Sequence, residues 1–157
     1  MKKEIAMFGA GCFWGVQATF DKLPGILKTE VGYSGGRPEY KNPSYKEVCT
    51  DKTGHAEVIR IEFDPKKISY EKLLEVFWNL HDPTQLNRQG PDIGAQYRSV
   101  IFYYTERQKK LAEKSKEEIQ KKIAGKIVTE ITKARPFYKA EDYHQKYYIE
   151  HPCVCHV

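Results

Sequence analysis

The segment AEVIRIEF, residues 56–63, alternates strictly, so Glu57, Ile59, Ile61 and Phe63 share one face while Val58, Arg60 and Glu62 share the other. It reads as a half-buried strand, and it places one carboxylate, Glu57, on the apolar side. Upstream, LKTEVGY (27–33) reads as a second strand, followed by SGGRPEYKNPSY (34–45), a loop dense in Gly, Pro and Asn. Further back, EIAMFG (4–9) is a short strand and residues 12–23 a helix stopped by Pro24 and Gly25. Downstream, Ser69 is placed to cap a helix in which Tyr70, Leu73, Leu74, Phe77, Trp78 and His81 form one stripe. DPTQLNRQGPDIGAQ (82–96) is loop and YRSVIFYY (97–104) strand; residues 106–124 form a long helix with Leu111, Ser115, Ile119 and Ile123 inward, and KIVTEIT (126–132) the last strand. The order βαββαβ, then αβ, predicts an α+β fold: a split βαβ (ferredoxin-like) sheet with packed helices. Residues 1–157 read as one domain, ending in an irregular tail over residues 148–157.

Composition narrows the class. The chain has 157 residues, enough for one well-buried core. No apolar run approaches the ~20 residues of a membrane-spanning helix. The start, MKKEIAMFGAGC, does not make a lipoprotein signal, because Glu4 and Gly9 interrupt the apolar run; the expected location is the cytoplasm. A formal charge of +5 raises nucleic acid as a partner, but the lysines of residues 106–126 alternate with glutamates, as on a solvated helix face. No nucleic-acid or membrane partner is expected, and a monomer is.

Four cysteines, Cys12, Cys49, Cys153 and Cys155, are too few for a secreted disulfide framework and suit thiol chemistry in a reducing compartment. Cys12 falls between a strand and a helix N-terminus, where the macrodipole lowers a thiol pKa. The alternative is an inert buried cysteine. Phe13 and Trp14 are either core residues or the walls of an apolar cup beside the sulfur. Glu57 must be paired, protonated or functional; burial raises its pKa toward what a general acid needs near neutrality. The tail segment EHPCVCHV (150–157) offers thiols able to resolve an oxidised Cys12, whereas a zinc site there lacks the usual ligand spacing.

GCFWG (11–15), GYSGG (32–36), NPSYKEVCTDKTGHAEV (42–58), the run 68–99 containing QGPDIGAQYRS, and PFYKAEDYHQKY (136–147) together resemble the A-type peptide methionine sulfoxide reductases. The resemblance implies that Cys12 is the catalytic nucleophile and Glu57 the acid that protonates the sulfoxide oxygen. Tyr45 and Tyr97 then hold that oxygen, Asp92 supports them, and Phe13 and Trp14 receive the substrate methyl. It implies reduction of the S epimer of methionine sulfoxide, free or in oxidised proteins, through a Cys12 sulfenic acid. Cys153 or Cys155 would resolve that acid to a disulfide, reopened by thioredoxin or dithiothreitol with no cofactor or metal. Cys49 reads as structural, and Gln17 stands where the family usually has an acidic residue. A thiol peroxidase or other cysteine-based oxidoreductase is the alternative.

Overall fold

The computed structural model describes residues 2–147. Its elements run β1 (Glu4–Ala10), α1 (Phe13–Asp21), β2 (Ile26–Ser34), α2 (Tyr45–Cys49), β3 (Ala56–Phe63), α3 (Tyr70–Leu80), β4 (Arg88–Gln89), β5 (Asp92–Ile93), β6 (Ser99–Tyr103), α4 (Glu106–Gln120), β7 (Glu130–Lys133) and β8 (Tyr138–Lys139). Short 3-10 turns occupy Ala95–Tyr97 and Asp142–His144. Six strands form one sheet in the order β7-β6-β1-β3-β2-β8, and β4 and β5 make a separate hairpin. β3 lies antiparallel between β1 and β2, which are joined by α1. That is the split βαβ arrangement expected from the alternation in residues 56–63.

The alternation fixes the faces. Glu57, Ile59, Ile61 and Phe63 are all buried toward the main core, where Phe8 of β1 packs against Phe20 of α1 and Phe77 of α3 at centroid distances of 5.8 and 5.2 Å. The opposite face is covered too. Met7, Val58, Val100 and Phe102 are buried there against Ala134 and Phe137. Arg60, which shares that face with Glu62, lies over the Phe137 ring at 5.7 Å, an arrangement that favours a cation.

Several boundaries differ from the sequence expectation. α1 ends at Asp21 and α4 at Gln120, so Ile123 lies beyond the helix, exposed, rather than on its inner stripe. The last expected strand starts later, at Glu130, and runs parallel to β6. Within the expected loop 34–45, Tyr45 opens a five-residue helix: Ser44 accepts the Glu47 N–H at 3.1 Å while the Glu47 carboxylate takes the Ser44 N–H. The expected loop 82–96 contains the β4–β5 hairpin, and the segment before the tail carries β8 and a 3-10 turn. Residues 148–157, with Cys153 and Cys155, lie outside the described residues.

Candidate active site

Gly11 breaks the chain between β1 and α1 with φ +97°, a left-handed conformation that glycine adopts without strain. A Cβ there would also meet the Gln89 side chain at 2.9 Å. This turn sets Cys12 at the N-cap of α1, half-buried beside a small cavity of about 120 Å³ lined by Ala10, Leu80, Gln89, Gly90, Pro91 and Asp92. The hairpin β4–β5 therefore forms one wall of the cysteine's surroundings and brings Asp92 to it.

Glu57 of β3 approaches from beneath and is 1% exposed. One carboxyl oxygen, Oε1, accepts the Phe13 backbone N–H at 3.3 Å; Oε2 accepts Gln96 Nε2–H at 2.8 Å. Burial outweighs these two hydrogen bonds and pushes the Glu57 pKa up to about 8, with the Asp92 charge adding to the rise. At neutral pH the group is mainly a protonated acid held dry.

Cys12 departs from the sequence expectation. Burial, then the Glu57 charge, push its thiol up to about 12 despite lowering contributions from the Trp14 and Gly15 backbone N–H groups, with Asp92 raising it further. The helix N-terminus acts as anticipated and loses to desolvation. The resting residue is a neutral thiol. In a variant with Cys49, Cys153 and Cys155 changed to Ser, alkylation of Cys12 by iodoacetamide is therefore expected to rise about tenfold per pH unit through pH 10. A plateau below pH 9, read by mass spectrometry, would show a low-pKa thiolate instead.

Tyr45 and Tyr97 lie close enough to Glu57 to feel its charge. Burial and the Glu57 charge hold both phenols well above their ordinary range. Phe13 is fully buried and packs against Tyr33, Tyr45 and His144, so it supports the wall from behind. Trp14 is only partly buried; its indole N–H donates to His144 Nδ1 at 2.9 Å and its ring stacks on Tyr147 at 3.8 Å.

Four residues that the sequence reading passed over complete the site. Gln96 links Glu57 to Cys49, donating to its Sγ at 3.4 Å as well. Cys49 is itself exposed. Glu141 accepts from the Tyr33 hydroxyl at 3.2 Å and from the Tyr45 backbone N–H at 3.0 Å. His144 is buried among the rings of Phe13, Trp14 and Tyr45. Lys146 donates its backbone N–H to Gln17 Oε1 at 2.7 Å, and Gln17 Nε2 donates to Thr29 Oγ1 at 3.1 Å. A carboxylate at position 17 would also accept from Lys146, but it has no N–H for Thr29, so the amide adds a bond to β2 that an acidic residue there would not make. Among the described residues no group of three or more His, Cys, Asp or Glu is arranged to hold a metal ion.

The family model for peptide methionine sulfoxide reductase matches residues 4–157. The chain belongs to the peptide methionine sulfoxide reductase family. It is 57% identical over 145 residues to peptide methionine sulfoxide reductase A4, chloroplastic, of Arabidopsis thaliana, covering 92% of this chain and 55% of that protein. It thus spans about half the length of that relative. With the family's MsrA protein of Methanothermobacter thermautotrophicus it shares 52% identity over 151 residues, 95% of this chain and 88% of the relative. Among solved structures, Mxr1 from Saccharomyces cerevisiae in reduced form superposes with a TM-score of 0.94 at 39% identity, covering 98% of this chain and 88% of that one. Mxr1 in complex with Trx2 superposes with a TM-score of 0.66 at 28% identity, covering 93% and 85%. The mixed sheet and its helices are thus the architecture of this reductase family.

Proposed function

We propose that the chain reduces the S epimer of methionine sulfoxide, free and within oxidised proteins, in the manner of its family. The observation that carries the reading is the pairing of a neutral thiol, Cys12, with a dry, protonated carboxyl, Glu57, whose oxygens are fixed by Phe13 N–H and Gln96. A sulfoxide sulfur is a poor electrophile until its oxygen is protonated. Glu57 gives that proton, and the Tyr45 and Tyr97 hydroxyls donate to the same oxygen while negative charge collects on it. Cys12 sulfur bonds to the sulfoxide sulfur; the oxygen then passes to Cys12, its bond to the methionine sulfur breaks, and the thiol proton replaces the one Glu57 gave. The products are methionine and Cys12 sulfenic acid. Trp14, backed by Phe13, receives the substrate methyl, and Asp92 supports the polar side of the cavity.

Cys153 or Cys155 then attacks the sulfenic acid, releasing water and forming a disulfide that a thioredoxin-like dithiol reduces by exchange. The Mxr1–Trx2 complex supports a partner of that kind. No resident cofactor takes part, and dithiothreitol serves in place of the protein reductant. The reading takes residues 1–157 as one reductase domain, monomeric, acting in the cytoplasm, with the tail carrying the recycling thiols. Among the described residues no helix is long and apolar enough to cross a membrane.

The test is a single turnover. Mixed with excess methionine sulfoxide and no reductant, the Cys49→Ser, Cys153→Ser, Cys155→Ser variant is expected to release a single methionine per chain and to leave Cys12 in a form trapped by dimedone. Methionine release without any dimedone adduct at Cys12 would contradict the proposed intermediate.

A further inference from the structure

Gln96 is buried in the middle of the 3-10 turn Ala95–Tyr97, and the turn is tied down around it. The Tyr97 N–H donates to Gly94 O at 3.0 Å, the Arg98 N–H to Ala95 O at 3.2 Å, and the Ala95 N–H to Asp51 Oδ1 at 3.1 Å. From this seat Gln96 Nε2 donates to Glu57 Oε2 at 2.8 Å and to Cys49 Sγ at 3.4 Å. Both amide hydrogens are then engaged, and the carboxyl is offered a donor there rather than an acceptor. The other carboxyl oxygen, Oε1, accepts the Phe13 N–H at the longer distance of 3.3 Å. A protonated carboxyl has one carbonyl oxygen and one hydroxyl oxygen, and the carbonyl oxygen is the better acceptor. The closer donor therefore makes Oε2 the carbonyl and leaves the proton on Oε1. That oxygen lies against residue 13, directly after Cys12.

We propose that Gln96 is a positioning residue for the acid: its N–H keeps the transferable proton on Glu57 Oε1, on the Cys12 side, and steadies the carboxylate formed when that proton leaves. The inference rests on the proposed reductase activity and deepens its acid step. In that step the O–H bond at Oε1 breaks, its electron pair stays on the carboxyl, and the proton bonds to the sulfoxide oxygen; the Cys12 thiol proton later restores the acid. As charge builds on the carboxyl, the bond from Gln96 becomes charge-assisted and strengthens, so it favours the transition state over the resting acid. Burial raises the Glu57 pKa most, and the Gln96 bond is the largest of the effects that oppose it. Without that bond Glu57 is a weaker acid whose proton is divided between two oxygens.

The test is Gln96→Met, which keeps the length of the side chain and lacks the N–H. The readout is the rate constant of the first methionine release across pH, by rapid quench at saturating S methionine sulfoxide without reductant. The variant is expected to slow this step about 10- to 100-fold and to move its alkaline decline upward from about pH 8 by about one pH unit. A merely loosened turn would instead admit water, ease the desolvation of Glu57 and move the decline down. In a Glu57→Gln background, Gln96→Met should change the residual rate by less than about twofold, because the group it acts through is gone. A decline that stays in place or moves down overturns the proposal, and so do losses that multiply in the double variant, as they would if Tyr97 had been displaced. Should Gln96→Met not fold, Gln96→Asn, which withdraws the donor by a methylene, is held to the same outcomes. If wild type releases no methionine, the reductase reading itself fails. Gln96 is then judged by NMR titration of protein labelled at the glutamate carboxyl carbon, with the Glu57 signal identified by its absence from Glu57→Gln. A Glu57 pKa that rises in the Gln96 variant upholds the positioning, and one that stays or falls overturns it.

Discussion

Glu57→Gln is expected to lower sulfoxide turnover by roughly 10²–10⁴-fold, the usual contribution of a general acid, while making the folded protein more stable at neutral pH. Both effects come from one feature, a carboxyl buried at 1% exposure. The stability sign follows from linkage. The folded-state pKa is about 8 against an unfolded value near 4.5. Between those limits the unfolded chain has released the proton that the folded chain keeps, so stability falls as pH rises from about 4.5 to about 8. Glutamine removes that slope. It retains an oxygen for the Phe13 N–H, and a rotated Gln96 amide meets its new N–H₂. Measured against its difference from wild type at pH 4, which reports the altered hydrogen bonds alone, the variant should gain about 3 kcal/mol at pH 7. Urea unfolding at the two pH values measures this. A variant less stable than wild type at pH 7 would mean that Glu57 is ionised and paired. Turnover has its own signature: wild-type activity should decline above about pH 8 as Glu57 loses its proton, and the residual activity of the variant should not follow that decline.

The second large effect concerns recycling. With Cys153 and Cys155 both changed to Ser, thioredoxin-driven turnover should fall to a single methionine per chain, while the first round proceeds at the wild-type rate. Of the two single variants, the one lacking the resolving thiol should behave like the double. Sustained thioredoxin-driven turnover by the double variant would mean that the reductant attacks the Cys12 sulfenic acid directly, or that exposed Cys49 substitutes for the tail.

Much of the sheet was legible because its central strand alternates without interruption. Residues 56–63 gave the face of Glu57 correctly, since period-2 geometry leaves a strand residue no other choice. Less visible was the cover over the opposite face. Phe137 reaches Val58 and Arg60 from more than seventy positions away, and no local pattern encodes that contact. α2 escaped notice for a different reason. Its capping box, Ser44 with Glu47, is a readable signal, but it directly follows Asn42-Pro43, a pair that by itself reads as loop.

Within the site, Cys12 and Glu57 stood out as reactive residue types at readable positions. Gln96, Glu141 and His144 did not. Their importance comes from partners 39, 96 and 130 residues distant, and an amide or imidazole in a loop gives no periodic sign of being buried. The thiol pKa departs in sign from the sequence expectation because the helix start is local and visible in sequence, whereas desolvation and the Glu57 charge are products of the tertiary fold.

The central claim is that Cys12 reduces one epimer of methionine sulfoxide. Its most direct test is turnover of separately resolved S and R methionine sulfoxide with dithiothreitol, by wild type and by Cys12→Ala. Turnover of the S epimer alone, lost in the variant, is the expected result. Turnover of both epimers at comparable rates, or S turnover that survives in Cys12→Ala, would contradict it.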